Sequence, residues 1–151
     1  MGAPSRTEAW KRGEAYEPFI GRWSRPVARL FVAWLGLPAG GRWVDVGCGT
    51  GALAGALLEV ASPRLVVALD RSPGFTRYAA DRSRGGPAWF AAADACRAPI
   101  ETGAADAVVS GLMLNFLPEP GAALAEMARL ARPGGVVAAY VWDYSGRMDL
   151  L

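Results

Sequence analysis

Histidine is absent from this chain of 151 residues, and cysteine occurs only twice, as Cys48 and Cys96. Zinc sites combine cysteine and histidine at short, regular spacings, and two isolated cysteines provide neither such a spacing nor a disulfide framework. The absence of histidine also removes the side chain that most often serves as a general base. The sequence therefore predicts no metal site and no catalysis that depends on histidine.

Long apolar runs and blocks of basic residues are also absent. A membrane-spanning helix needs a run of about 18 apolar residues, which does not occur here, and the N-terminal residues lack the apolar stretch of a signal peptide. The net charge is only +2, from 16 basic and 14 acidic residues spread along the chain. No basic block is present to follow a phosphate backbone. We therefore expect a cytoplasmic protein without a membrane span and without a nucleic-acid partner.

The composition is that of a globular protein, with 52% apolar and 20% charged residues. We expect one domain at residues 16–151, after a flexible lead of residues 1–15. Short apolar strands alternate with helical segments, which predicts a Rossmann-like, doubly wound α/β fold with a mostly parallel sheet and helices on both faces. The predicted strands are residues 42–46, 65–69, 88–92, 105–110 and 136–142, and the predicted helices are residues 25–37, 51–60, 73–84 and 120–130.

A glycine-rich loop follows the first predicted strand, in the sequence WVDVGCGTGAL from Trp43 to Leu53. Gly47, Gly49 and Gly51 let the backbone approach a ligand where any Cβ would intrude, and the helix that they open carries free N–H groups at the same place. Cys48 is expected to pack inside the loop as a small residue. The loop predicts a binding site for a small molecule.

The charge beside these glycines discriminates between two kinds of ligand. The pattern Gly47-x-Gly49-x-x-Ala52 fits the dinucleotide fingerprint of nicotinamide and flavin enzymes. Such a loop holds a pyrophosphate, and Asp45 would then lie close to two negative phosphates. A ligand with an ammonium and a sulfonium group, and no phosphate, would instead be attracted by Asp45. S-adenosylmethionine is such a ligand, and VDVGCGTG resembles the first motif of the class I S-adenosylmethionine-dependent methyltransferases.

The resemblance covers about residues 14–143 and implies roles for the polar residues that follow the strands. Asp70 would accept hydrogen bonds from both ribose hydroxyls; the alternative is that Asp70 serves as the N-cap of the following helix. Asp94 would accept one from the adenine amino group, and the N–H of Ala95 would reach the ring. In relatives of the ubiquinone and menaquinone biosynthesis type, a leading segment like that of Tyr16 and Arg22 closes over the cofactor; the alternative is an amphipathic lead-in helix. The predicted cofactor site comprises Tyr16, Arg22, Asp45, Gly47, Cys48, Gly49, Gly51, Asp70, Arg71, Ser72, Asp94, Ala95, Gly111 and Leu112.

The resemblance also concerns the end of the sheet. Members of the family usually add an antiparallel pair of strands after the fifth strand, and this chain ends at Leu151 before such a pair. We therefore expect a domain that is incomplete at its C-terminus. The unpaired outer edge of strand five, residues 136–142, is expected to recruit a second copy into a homodimer.

The implied function is transfer of a methyl group from S-adenosylmethionine to a small-molecule acceptor, which leaves S-adenosylhomocysteine. This reaction requires donor and acceptor to be held near attack geometry with water excluded, and the sequence nominates no catalytic base. Two alternatives stay open: a cofactor-binding fragment or assembly partner without turnover, and a nicotinamide-dependent oxidoreductase.

Overall fold

The computed structural model describes residues 22–143, without the side chain of Arg22. A π-helical turn (Leu57–Ala61) directly follows the second helix, and a 3₁₀ turn (Leu114–Phe116) follows the fourth strand. The strands are β1 (Arg42–Val46), β2 (Leu65–Asp70), β3 (Ala88–Ala92), β4 (Ala105–Gly111) and β5 (Ala131–Tyr140), and the helices are α1 (Arg22–Leu35), α2 (Ala52–Ala56), α3 (Pro73–Arg82) and α4 (Pro120–Leu130).

The five strands form one sheet in the order β3-β2-β1-β4-β5, and every neighbouring pair is parallel. β1 lies at the centre, where the order of strands along the sheet reverses. This arrangement confirms the predicted Rossmann-like fold. In such sheets ligands bind beyond the carboxyl ends of the strands, next to the point of reversal.

Helices cover both faces of the sheet, as predicted. On one face, α1 and α2 bury Phe31, Val32 and Leu53 against β1 and β4. On the other face, α4 buries Met127 and Leu130. No helix among the described residues is long and apolar enough to cross a membrane.

The orientation of α1 differs from the simplest interpretation of its sequence. Its apolar residues recur at helical spacing, but Leu30 and Trp34 are 71% and 77% exposed. Ala28, Phe31 and Val32 face the sheet instead and are buried. The helix thus has two apolar faces, and periodicity alone does not decide between them.

Several element boundaries differ from the prediction; for example, α1 spans Arg22–Leu35 instead of residues 25–37, and β5 ends at Tyr140 instead of residue 142. The largest difference is that β5 begins at Ala131, directly after α4, whereas the prediction began the strand at residue 136. The pairing shifts from Ala105↔Ala131 to Ala107↔Val136, so the intervening residues bulge out of the strand. The predicted helix at residues 51–60 is instead divided between α2 and the π-helical turn.

Candidate cofactor-binding site

The glycine loop connects β1 to α2 in a conformation that favours glycine. Gly47, Gly49 and Gly51 have φ angles of +78°, +52° and +88°, in the left-handed region that L side chains rarely adopt. A Cβ added to Gly49 would have no atom of the described chain within 4 Å. The loop therefore leaves open space on the side where a ligand would lie.

Four backbone N–H groups of this loop, at positions 47, 48, 49 and 51, are bonded within the protein, whereas the predicted free N–H groups are those of the helix that follows the loop. Gly47 and Cys48 donate to the carbonyl oxygen of Leu69 over 2.7 and 2.9 Å, and Gly51 donates to the carbonyl oxygen of Cys48 over 2.9 Å. Gly49 donates to a side chain, Oδ2 of Asp70, over 2.9 Å. The loop is thereby attached to the end of β2 and does not present these four amides to a phosphate.

Asp70 occupies the end of β2 and joins the loop to the start of α3. Its Oδ1 accepts a hydrogen bond from the N–H of Ser72 over 2.8 Å, and its Oδ2 accepts the bond from Gly49. The N-cap of α3 is Ser72, whose Oγ accepts from the N–H of Phe75 over 3.3 Å. Each carboxylate oxygen of Asp70 keeps acceptor capacity for a further donor, and Arg71 beside it is exposed.

Asp45 lies in the centre of the sheet, two residues before the loop, and is completely buried. Neither of its carboxyl oxygens makes a hydrogen bond within the described part of the chain. Burial raises the pKa of Asp45 from 3.8 to about 8, with a further contribution from the charge of Asp70, and the nearby N–H of Ala54 offsets part of this rise. The group that was predicted to attract a cation is thus largely neutral at pH 7 while its oxygens lack partners.

This raised pKa predicts how the stability of the protein depends on pH. The folded protein keeps the Asp45 proton up to about pH 8, whereas the unfolded chain releases it near pH 4, so the stabilising contribution is complete below pH 4 and is lost as the pH rises toward 8. Denaturant unfolding from pH 5 to 8 should reveal a decline of up to about 1.4 kcal/mol per pH unit that Asp45→Asn removes. Asp94→Asn, at an exposed position, is the control; equal pH slopes in the wild type and Asp45→Asn would contradict the assignment.

The turn after β3 lies beside the end of β2. The N–H of Ala93 donates to the carbonyl oxygen of Asp70 over 3.0 Å. The exposed Asp94 accepts a hydrogen bond at Oδ1 from the N–H of Cys96 over 2.9 Å, and Ala95 packs half-buried against the core. The structure therefore brings the predicted adenine-binding residues next to the predicted ribose-binding carboxylate.

The end of β4 closes the other side of the loop. Leu112 has a φ angle of +60°, a strained conformation for leucine of the kind that clusters at functional sites, and its N–H donates to the carbonyl oxygen of Tyr140 over 2.8 Å. The side chain of Met113 fills the space that a Cβ at Gly47 would occupy. Gly111 likewise leaves room for the ring of Tyr140, so both glycines serve close packing.

Other predicted residues are placed as follows. Tyr16 lies outside the described residues, as does the side chain of Arg22. Cys48 is buried in the loop, and burial raises the pKa of its thiol. Asn115, which follows β4, exchanges hydrogen bonds with the backbone N–H and carbonyl of Trp142 over 2.9 and 3.2 Å. Residues 22–143 contain no group of three or more side chains suited to a metal ion.

A separate polar cluster lies around Asp106, at the amino ends of the strands. The position of Asp106 at the start of a strand indicates a structural role. Asp106 accepts hydrogen bonds from the N–H of Arg42 and from Nε of Arg132 over 2.8 and 2.7 Å, and these bonds lower its pKa to about 2. A cavity of about 400 Å³ opens beside it. Because it lies at the amino ends of the strands, this cavity is remote from the glycine loop. Sequence reasoning missed a second cluster, Glu126 with Arg129, although their spacing on α4 is typical of a side-chain pair.

Comparison with known proteins gives the family. A family model described as a methyltransferase domain matches residues 44–139. A demethylmenaquinone methyltransferase of Roseiflexus castenholzii is 35% identical over 107 residues, which cover 71% of this chain and 45% of that protein. The tRNA (carboxymethyluridine(34)-5-O)-methyltransferase ALKBH8 of Macaca fascicularis is 31% identical over 147 residues, 91% of this chain and 21% of that protein.

The fold is also found among solved structures. The complex of the Haloferax volcanii Trm112 methyltransferase activator with its methyltransferase partner contains a chain that matches with a TM-score of 0.78 at 24% identity, over 93% of this chain and 62% of that one. This chain spans only 33% to 45% of the length of the first curated relatives that it matches. The match over residues 44–139, together with the fold, means that the chain belongs to the class I S-adenosylmethionine-dependent methyltransferases.

Proposed function

We propose that the protein transfers a methyl group from S-adenosylmethionine to a small-molecule acceptor. The observation that carries this proposal is the pair of carboxyl groups around the glycine loop. Asp70 is bonded to Gly49 of the loop, while Asp45 is buried with two unpartnered oxygens. The acceptor capacity of Asp70 beside the open space over Gly49 suits a ligand that carries hydroxyl groups, and a cationic ligand would favour the ionised form of Asp45.

The residues present fit this cofactor. The open space over Gly49 accommodates its close approach, the remaining acceptor capacity of Asp70 suits the ribose hydroxyls, and Asp94 suits the adenine amino group. A cationic group near Asp45 would favour its ionised form and give its unpartnered oxygens an electrostatic partner. When bound, S-adenosylmethionine supplies an electrophilic methyl group on its sulfonium. The chain's own part is to bind, orient and exclude water, and we assign no catalytic base.

The nicotinamide alternative is disfavoured by the hydrogen bonds of the loop. A dinucleotide fingerprint works because loop and helix N–H groups point at a pyrophosphate. In this loop the amides of Gly47, Cys48, Gly49 and Gly51 are already bonded within the protein. A pyrophosphate at this position would find neither these donors nor a counter-charge.

Calorimetric titration tests the cofactor assignment. We expect S-adenosylhomocysteine and S-adenosylmethionine to bind and NADH not to bind, because only the first two lack phosphates. The affinity for S-adenosylmethionine should also depend on pH more than that for S-adenosylhomocysteine, since only the former carries the sulfonium charge near Asp45. Binding of NADH with no heat from either sulfur ligand would overturn the proposal.

The proposal also specifies which class of molecule accepts the methyl group. The modest net charge of +2 without a basic block supports a small molecule over nucleic acid. One relative is described as acting on demethylmenaquinone and another on tRNA, so the assay must offer both kinds of acceptor. Transfer of a labelled methyl group to small hydroxyl-bearing or quinol acceptors, and not to tRNA, is the expected result.

We also propose a homodimer through the outer edge of β5. Within residues 22–143 no strand pairs with this edge, and Val137 is 40% exposed on it. Unpaired apolar edges recruit further strands. We further propose that residues 16–151 belong to one domain and that the protein is cytoplasmic.

Light scattering over a concentration series tests whether the protein dimerises through the outer edge of β5. We expect the wild type to associate. Val137→Lys should weaken association because a charge at the edge disfavours pairing with another strand, and Ala139→Pro should do so because proline lacks the N–H that pairing needs. Trp89→Lys on β3, the opposite edge, and Leu30→Glu on α1 are matched controls at exposed apolar positions. A wild type that stays monomeric, or an association lost only in Leu30→Glu, would refute the proposed interface.

The remaining alternative is a cofactor-binding chain that assists a partner without turnover. The Haloferax volcanii structure is itself a complex with an activator, and this chain spans less than half of its first curated relatives. Cofactor binding without methyl transfer to any acceptor in the panel is the result that would favour this alternative.

A further inference from the structure

The segment between β3 and β4, residues 93–104, crosses one face of the sheet without forming a helix. Such a segment has few backbone hydrogen bonds of its own, so its conformation depends on what it contacts. It lies against α4, and its backbone groups are bonded there by two side chains, Glu126 and Arg129. We call these two side chains the α4 pair.

The α4 pair makes an unusually dense set of bonds to this segment. Arg129 donates from Nη1 to the carbonyl oxygen of Ile100 and to Oγ1 of Thr102, each over 3.0 Å, and from Nη2 to the carbonyl oxygen of Ala98 over 3.2 Å. Glu126 accepts from the N–H of Ala98 over 2.8 Å. Both polar groups of the Ala98 backbone are thus bonded to the pair.

The pair is internally fixed and partly shielded from solvent. Arg129 donates to both carboxylate oxygens of Glu126, over 2.8 and 2.7 Å, a bidentate geometry that restricts both side chains. The two side chains are 34% and 11% exposed. Because Met127 and Leu130 on the same helix are completely buried, the pair rests on a rigid part of the core.

Only three residues separate Ala98 from Asp94, and this short stretch has bonds of its own. The N–H of Arg97 donates to the carbonyl oxygen of Asp94 over 3.1 Å, and the N–H of Cys96 donates to the Asp94 side chain. At its other end, Ala93 is bonded to the backbone of Asp70. The turn that carries Asp94 is therefore held at two points, the end of β2 and the α4 pair.

We propose that Arg129, with Glu126, is a positioning residue that holds Asp94 in place to recognise the adenine amino group of the cofactor, and Ala95 in place to reach the adenine ring. This inference rests on the proposed function and deepens it. Without the pair, Ala93 would provide the remaining backbone hydrogen bond from the turn to β2, while Ala95 and Ala98 would still pack against the core. The carboxylate of Asp94 would then sample positions in which it does not meet the base. Pre-organisation of this kind strengthens binding because less conformational entropy is lost when the turn becomes ordered around the ligand.

The test compares two ligands, S-adenosylhomocysteine and its analogue in which purine lacks the 6-amino group. The wild type should bind the first more tightly by about tenfold or more, as expected for a hydrogen bond to a carboxylate. In Arg129→Leu this ratio of dissociation constants should fall to about two or less, because Asp94 is no longer held in place. Arg129→Lys, which keeps the charge but cannot form all five hydrogen bonds of Arg129 at once, should give an intermediate ratio.

Arg84→Leu is the matched control. Arg84 also pairs with an acidic residue three positions away, Asp81, over 2.6 Å, but both side chains are mostly exposed. This variant should keep the wild-type ratio. If Arg129→Leu and Arg129→Lys weaken both ligands equally and keep the ratio, the pair only stabilises the fold and the inference is wrong. A wild-type ratio near one would overturn it as well, while leaving cofactor binding itself intact; failure of the wild type to bind S-adenosylhomocysteine would reject the proposed function instead.

Discussion

Gly49→Val is expected to abolish binding of S-adenosylhomocysteine, with an affinity loss of more than about a hundredfold, or about 2.7 kcal/mol. Gly49 has a φ angle of +52°, and its missing Cβ faces open space beside the loop. A branched side chain there would fill the space that we assign to the cofactor. It would also distort the hydrogen bond that the N–H of Gly49 donates to Asp70.

Backbone strain must be separated from obstruction of the site, and Gly40→Val provides the control. Gly40 has a φ angle of +80°, also with no atom within 4 Å of an added Cβ, and its N–H is likewise bonded, to the carbonyl oxygen of Ser62 over 2.9 Å. It lies before β1, at the amino end of the strands, whereas the glycine loop lies at their carboxyl end. Both variants should lose about 1–2 kcal/mol of stability from the left-handed conformation, but only Gly49→Val should lose binding in calorimetry. Retained binding in Gly49→Val would mean that the cofactor does not approach this loop.

Asp70→Ala is expected to weaken cofactor binding by about tenfold to a hundredfold, because a hydrogen bond to a charged group contributes about 1.5–3 kcal/mol. Asp70 also accepts from Gly49 and Ser72, so part of the loss would arise from the loop. The comparison of S-adenosylhomocysteine with its 2′-deoxy analogue isolates the ribose contribution. Wild type should prefer the hydroxyl-bearing ligand, and Asp70→Ala should lose this preference.

Asp81→Asn, at an exposed acidic residue on α3, is the matched control and should keep the wild-type preference. If Asp70→Ala weakens both ligands by the same factor, Asp70 serves only to connect the loop to α3. The two measurements therefore distinguish a ligand-binding carboxylate from a structural one.

The parts of the fold that were predicted correctly are those in which local chemistry determines the outcome. The continuous apolar run of β2 is typical of a parallel strand buried on both faces, and Ser72 followed by Pro73 marks the start of α3 because a side-chain oxygen caps the helix while proline fits its first turn. The fourth helix was predicted with its observed bounds, Pro120–Leu130. In each case the decisive interaction lies within a few residues of sequence.

The features that were not predicted depend on interactions between residues that are distant in sequence. The amides of the glycine loop bond to Leu69 and Asp70 on the neighbouring strand, which no local pattern reveals. The early start of β5 depends on its register with β4, and the neutral state of Asp45 depends on complete burial by surrounding elements. The sequence pattern therefore nominated the candidate site, while the hydrogen bonds and charge state of its residues required the three-dimensional arrangement.

The central position of β1 has a consequence for how this chain folds. Val44 pairs with Val67 on one side and with Val108 on the other, so β1 is completed by a strand that is synthesised after both β2 and β3. Until β4 is available, one edge of β1 stays open, with its apolar residues uncovered and Asp45 in contact with water. Pairings between such distant segments slow folding, since loop closure must precede any gain from contact. Until β4 pairs with β1, the half-sheet of β1 to β3 thus has an open apolar edge of the kind that promotes aggregation.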